Sequence, residues 1–335
     1  MNIPWTEKYR PKVLNDIIGQ DNIVKLFKSS ITSGELPHLL LYGPPGTGKT
    51  SIVFAFAKEL FGPKNYKNRI AVINASDERG INVVREKILN FTKTALSSKD
   101  PNYPSPEYKL VILDEADTLT TEAQTALRKI LEDKSSHTRF CFICNYLNRI
   151  IEPIISRCNK YRFKPLNNDS ICIKLNNIAI QENLIIEPEI IQEIANINDG
   201  DLRKCIMTLQ NLKYMSNNIT KNTVRLMLGV IDDNMINNIK HICINNNGND
   251  TDIINLAKSL LSFNIFSMLS IICELVIMSD YDDLTKSNVI SYFLIIEKRI
   301  YGGANEYLQI LSLLMHIKNT IHNNHQNNNK QKSAK

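Results

Sequence analysis

The sequence predicts an α/β fold, with a parallel sheet in its first half and an all-helical second half. Three observations carry that prediction. Apolar runs without polar alternation recur at residues 38–42, 70–74, 110–114 and 140–144, the pattern of strands buried on both faces. Stretches of helical period separate them, with Val84, Ile88 and Phe91 on one helix face, and strands alternating with helices make a parallel sheet covered on both sides. Beyond Tyr161-Arg162-Phe163-Lys164-Pro165 no further strand stands out, and the pattern turns helical almost to the end.

Other punctuation follows in chain order. Residues 99–107 carry prolines at 101, 104 and 106 and read as a loop. One domain boundary is expected near Pro165. A softer one is expected near Leu228-Gly229-Val230, after Gly200-Asp201-Leu202-Arg203 and a helix through Leu212. The domains expected are thus 1–165, 166–229 and 230–322, with residues 323–335 as a disordered Asn/Lys-rich tail, since that segment has no apolar period.

Composition narrows the function. A chain of 335 residues, 43% hydrophobic and 22% charged, buries a substantial core. Its 40 basic and 34 acidic side chains give +6, which permits a nucleic-acid partner without requiring one, because only clustered charge builds a usable field. The start, Met1-Asn2-Ile3-Pro4-Trp5-Thr6-Glu7-Lys8, has no charged lead followed by an apolar core, so no secretory leader is expected. The greasiest stretch, 265–278, contains Glu274 and falls short of the ~20 apolar residues a bilayer needs. Seven scattered cysteines fit reduced thiols in a reducing compartment. Cys141 and Cys144 are three apart on a strand, so they face opposite sides and read as core rather than as a metal pair. The 40 asparagines, with the abundant Ile and Lys, read as the imprint of an AT-rich genome.

Gly43-Pro44-Pro45-Gly46-Thr47-Gly48-Lys49-Thr50 fits the phosphate-binding P-loop, directly after a strand and before the helical Ser51-Ile52-Val53-Phe54-Ala55. Its glycines let backbone N–H groups close around phosphates at a helix start. Lys49 brings charge to the β and γ phosphates, and the Thr50 hydroxyl suits Mg²⁺. Leu110-Val111-Ile112-Leu113 delivers Asp114 and Glu115 to a strand's carboxyl end, where open α/β sheets bind ligands. Asp114 is the candidate for holding Mg²⁺ through water, and Glu115 for polarising the attacking water.

The P-loop with Asp114-Glu115-Ala116-Asp117 resembles the AAA+ ATPase family. Glu7-Lys8-Tyr9-Arg10-Pro11, Asn74-Ala75-Ser76-Asp77-Glu78-Arg79-Gly80, Ser156-Arg157-Cys158 and Gly200-Asp201-Leu202-Arg203-Lys204 are similar to the small subunits of replication factor C, the eukaryotic clamp loader. The likeness runs from Trp5 to about Lys213, and Gly302-Gly303-Ala304-Asn305-Glu306-Tyr307-Leu308 is similar to the family's final collar helices. Glu59-Leu60-Phe61-Gly62-Pro63 and Arg139-Phe140-Cys141-Phe142-Ile143-Cys144-Asn145-Tyr146 resemble most the subunit numbered four in mammals.

The resemblance implies an AAA+ P-loop domain, a helical lid and an all-α collar that assembles a heteropentamer. It implies an ATPase, using ATP and Mg²⁺, that opens the ring-shaped sliding clamp (proliferating cell nuclear antigen) and loads it onto primer–template DNA in replication and repair, in the nucleus. Thr6, Tyr9, Arg10 and Pro11 would line the adenine and ribose side, although the family often has Val where Thr6 stands. Ser51 would complete the P-loop set. Asn145 would orient the hydrolytic water, and Arg203 would touch the γ-phosphate. Arg157 would act as an arginine finger on the neighbouring subunit's nucleotide. Arg79 and Arg85 would contact DNA phosphates, and Arg128 is either an inter-subunit or DNA-coupling residue or half of a helix salt bridge. Two alternatives stand beside this reading: a scaffold that binds nucleotide without hydrolysing it, and a different AAA+ machine such as an origin-binding or branch-migration ATPase.

Overall fold

The computed structural model describes residues 3–76, 81–94, 100–134, 137–215, 219–245 and 248–333. The chain divides into two compact units, 1–217 and 218–335. This division coincides with neither expected boundary: residues 166–217 pack with the α/β part, and residues 218–229 belong to the second unit.

In the first unit, β1 (Leu39–Tyr42), β2 (Ile70–Asn74), β3 (Lys109–Asp114), β4 (Thr138–Cys144) and β5 (Asn159–Arg162) form one sheet in the order β2-β3-β4-β1-β5. All four pairings are parallel. Four of these strands coincide with the apolar runs. β5 does not: it is an edge strand with mostly exposed side chains, so no apolar run marks it. It is held by pairing with β1, from Leu39 against Asn159 to Tyr42 against Arg162.

Helices α1 (Asp21–Ser33), α2 (Lys49–Phe61), α3 (Ile81–Lys93) and α4 (Thr121–Lys134) cover the sheet. On one face Phe27, Ile52 and Phe56 pack with Leu39, Leu41, Ile112 and Cys141. On the other, Ile88, Leu127 and Ile130 pack with Leu40, Val111, Phe142 and Cys144. Cys141 and Cys144 thus enter opposite cores, as their spacing predicts. The registers Tyr42–Cys144 and Asn74–Asp114 bring the carboxyl ends of β1, β2, β3 and β4 to one edge, and the site lies there.

Helices α5 (Asn168–Gln181), α6 (Pro188–Ile197) and α7 (Leu202–Met215) complete this unit. Ile171, Leu175, Ile191, Ile194 and Leu209 are fully buried. The N-terminal segment is strapped onto these helices: the backbone N–H of Trp5 donates to Gln210 Oε1 at 2.9 Å, and the Trp5 ring is buried.

The second unit is helical: α8 (Lys221–Met227), α9 (Asp233–Ile239), α10 (Asp250–Leu260), α11 (Ile265–Ile277), α12 (Asp283–Tyr301) and α13 (Glu306–Ser333). Thr220, Asp232, Asn264 and Asp282 cap helix starts by accepting backbone N–H groups. Met268, Ile272, Ile296, Leu313 and Ile317 form its core. The backbone of α13 is helical to Ser333, and Ile321 on it is buried. Among the described residues no helix is long and apolar enough to cross a membrane.

Candidate active site

The P-loop joins β1 to α2, and Lys49 is the first residue of α2. Its side chain folds back into the loop. Nζ donates to Gly43 O at 2.7 Å, Pro44 O at 2.8 Å and Asn145 Oδ1 at 2.9 Å. Burial pulls the Lys49 ammonium below the usual lysine range, while neighbouring acidic groups, Asp114 and Asp117 among them, pull the other way. Thr50 Oγ1 donates to Asp114 Oδ2 at 3.0 Å. Burial raises the Asp114 carboxyl above its ordinary value, and the Thr50 bond opposes that rise.

Glu115 follows Asp114 with φ at 54°, a left-handed turn that swings the chain off the strand. This reversal leaves Glu115 exposed and sends Asp117 back over the strand ends. Asp117, 8% exposed, accepts the backbone N–H groups of Asn145 at 3.2 Å and Tyr146 at 3.1 Å on one oxygen.

Lys49, Thr50, Asp114, Glu115 and Asn145 border a cavity of about 250 Å³. Thr6, Tyr9, Arg10 and Pro11 line it from the N-terminal segment, and Pro45, Gly46, Thr47, Gly48, Lys49, Thr50 and Ser51 from the P-loop. Asp114, Glu115, Asn145 and Arg203 complete the set that the sequence singles out. Gly43 and Pro44 hold Lys49 through their carbonyls instead. Ile17, Ile18, Lys174, Leu202 and Ile206 also line the cavity; nothing in their spacing distinguishes them from ordinary core or surface positions.

Other contributions are absent from the sequence reading because they depend on long-range contacts. Glu182, just past α5, accepts Lys8 Nζ at 2.5 Å and Tyr9 Oη at 2.7 Å, and its other oxygen accepts Lys213 Nζ at 2.9 Å. These donors, Lys8 first, hold the Glu182 carboxyl down at about 2. Burial and the Glu182 bond raise the Tyr9 hydroxyl. Asp201 caps α7 by accepting the Lys204 N–H at 3.0 Å and presses against Gly46, where an added methyl would lie 1.8 Å from Asp201 Oδ1.

The remaining sequence candidates stand apart from this cavity. Arg157 donates to Pro153 O at 2.9 Å and pairs with Glu132 at 2.6 Å. Arg128 pairs with the same Glu132 oxygen at 3.2 Å, the helix salt bridge of the two options its position allows. Arg85 is exposed on α3 and borders a second cavity of about 730 Å³, which Lys129, Glu122 and Asp133 of α4 also line. Arg79 lies outside the described residues.

Comparison with known proteins shows the family. Residues 39–166 match the model of the ATPase family associated with various cellular activities (AAA), and residues 231–316 match the replication factor C C-terminal domain. Replication factor C subunit 2 of Schizosaccharomyces pombe is 38% identical over 323 residues, covering 94% of each chain. Replication factor C subunit 4 of Homo sapiens is 41% identical over 316 residues, covering 93% of this chain and 86% of that one. Among solved structures, the Holliday junction branch migration motor RuvB of Thermotoga maritima matches with a TM-score of 0.53 at 20% identity, covering 75% of this chain and 85% of that one, which is a likeness of fold alone. On the strength of both family models and of relatives matched almost end to end, the chain belongs to the replication factor C family of AAA ATPases.

Proposed function

We propose that the cavity binds ATP with Mg²⁺, and that binding and hydrolysis there drive opening of a ring-shaped sliding clamp and its loading onto primer–template DNA. As a member of the replication factor C family, the chain is an ATPase subunit of the clamp loader that serves DNA replication. The observation that carries the nucleotide reading is the convergence of Lys49, Thr50, Asp114, Glu115 and Asn145 on one cavity at the strand ends.

The chemistry of each residue follows from its setting. Lys49 exchanges its carbonyl acceptors for phosphate oxygens, which desolvated ammonium groups prefer. Backbone N–H groups at the start of α2 add donors to the same anion. Thr50 Oγ1 and Asp114 Oδ2, 3.0 Å apart, are hard oxygen donors of the kind Mg²⁺ takes, and a half-buried carboxylate at that point gains from a cation; Thr50 directly and Asp114 through water would hold the ion. When bound, Mg²⁺ neutralises charge that develops on the phosphate oxygens. Glu115, exposed at the cavity, polarises the attacking water, and Asn145 orients it. Arg203 reaches the γ-phosphate from α7. Thr6, Tyr9, Arg10 and Pro11 take the base and ribose.

The wider assignments have their own support. Met278, Leu284, Leu294 and Tyr301 of the second unit are 75%, 72%, 65% and 73% exposed, apolar surface suited to assembly with other replication factor C subunits. Arg157, held outside its own cavity, suits an arginine finger acting on a neighbour. Arg79 and Arg85 contact DNA phosphates. Work on replication and repair DNA puts the complex in the nucleus.

Two variants test the nucleotide reading. Lys49→Ala should abolish nucleotide affinity, whereas Glu115→Gln should keep affinity and lose hydrolysis, because only the water-polarising group is removed. Parent-like turnover at this site by assembled Glu115→Gln would overturn the role of Glu115.

A further inference from the structure

We propose that Asp117 is a positioning residue for hydrolysis, aiming the side chain of Asn145 by clamping the backbone beneath it. The proposal rests on the reading of Asn145 as the residue that orients the attacking water.

The need for a clamp arises from the sheet itself. β4 ends at Cys144, opposite Tyr42 of β1. The next two N–H groups, of Asn145 and Tyr146, lie beyond the ladder on residues that are themselves exposed, so the strand pairing that fixes Cys144 does not fix them. Asp117 Oδ2 takes both. A single oxygen that accepts two consecutive N–H groups fixes the peptide plane between them, and with it the direction in which the Asn145 side chain leaves the backbone. That side chain holds Lys49 Nζ through Oδ1 at 2.9 Å. Asp117, Asn145 and Lys49 therefore form one chain of contacts from the end of β3 to the P-loop.

Asp117 is too well buried for a surface carboxylate, at 8% exposure, and its second oxygen, Oδ1, is buried without a hydrogen-bond partner among the described residues. A residue placed only to satisfy two N–H groups needs one acceptor atom. A neutral amide or hydroxyl would serve with less desolvation.

The test uses the full chain in a reconstituted complex with the other replication factor C subunits, arranged so that only this site hydrolyses. Asp117→Ala should lower kcat on the order of 10- to 100-fold, the cost of misplacing a group near reacting atoms, with the Kd for ATP within about threefold of the parent. Asn145→Ala should lose turnover as well, and the double variant should be no worse than Asn145→Ala alone, because both remove one function. Asp117→Asn, which keeps an acceptor for both N–H groups, should recover most of the lost turnover. If Asp117→Ala does not assemble, Asp117→Ser, polar but too short to reach, carries the same expectation. Parent-like kcat in Asp117→Ala, additive losses in the double variant, or an equal loss of ATP affinity and kcat would overturn the proposal. Parent-like turnover in Asn145→Ala would instead overturn the reading of Asn145 beneath it.

Discussion

Arg157 Nη2 lies 2.6 Å from Glu132 Oε1, an ion pair that ties the turn after Pro153 to the last turns of α4. Glu132 also accepts Arg128, and its carboxyl is held below the usual range by that bond first and by Arg157 as well. The guanidinium is thus parked on the surface, 35% exposed, with its own P-loop out of the contact set. Exposed pairs of this kind are weak, so little opposes its transfer to a stronger anion on a neighbouring chain.

Arg157→Ala should leave this subunit's ATP affinity unchanged and depress hydrolysis at the adjacent site, where arginine fingers are worth ~10³ to 10⁵ in rate. The measurement is turnover by a complex in which only the adjacent site is competent. Full DNA- and clamp-stimulated turnover there would exclude action in trans.

Arg85→Ala should weaken DNA binding equally for all sequences, since phosphate contacts carry no base information. The log–log salt dependence should flatten by roughly one unit for the lost contact. Titrations of primer–template duplex at several salt concentrations would show it, and an unchanged slope would make Arg85 a solvated residue of α3.

Glu182 sets an acid limit on the first unit. Its carboxyl titrates at about 2 when folded, against an ordinary value of 4.5. A depressed folded value contributes stability that is complete above the ordinary value and lost as pH falls through the folded one. Urea midpoints should therefore drop between about pH 4.5 and pH 2 in the parent, and Glu182→Gln should start lower and respond less over that window. Because the amide keeps one acceptor oxygen but loses the second and the negative charge, its hold on Lys8, Tyr9 and Lys213 should slacken, and ATP binding should weaken through a loosened Tyr9. Identical midpoint profiles for variant and parent would exclude this role.

Gly46→Ala should be far more damaging than a surface glycine change. Gly46 has φ at +71°, and an added methyl would lie 1.8 Å from Asp201 Oδ1. A non-glycine residue in that conformation costs about 1–3 kcal/mol before the overlap is counted. Chemical denaturation should show at least that loss, and ATP binding should fall with it. A variant as stable as the parent would mean that Asp201 yields freely.

What the sequence discloses follows from how far apart the interacting residues lie. β1 to β4 are legible because burial on both faces demands unbroken apolar runs, and the P-loop is legible because its residues are consecutive. β5 is not, because an edge strand with exposed side chains leaves no pattern to read. Asp117 sits in a legible motif, yet its task depends on an N–H 28 positions away. Glu182 has a surface carboxylate's spacing, and its partner Lys8 lies 174 positions distant. Gln124 is similar: buried on α4, it donates to Arg149 O at 2.9 Å and accepts the Ile151 N–H at 2.8 Å, pinning the segment that leads to Arg157.

The inconspicuous strand β5 has a consequence for the P-loop as a transferable part. Phe163, just after β5, donates its N–H to Tyr42 O at 2.8 Å, which draws its own carbonyl so near Gly43 that an added methyl would lie 2.3 Å from that oxygen. Gly43 is therefore demanded by a neighbouring strand, and Gly46 by the capping carboxylate of a later helix, before any phosphate arrives. Grafted onto another sheet without those two neighbours, the eight-residue loop would keep its letters and lose the walls that shape it. The smallest portable unit of this nucleotide site is the loop together with residues 159–163 and Asp201, segments that an excision of the eight residues alone would leave behind.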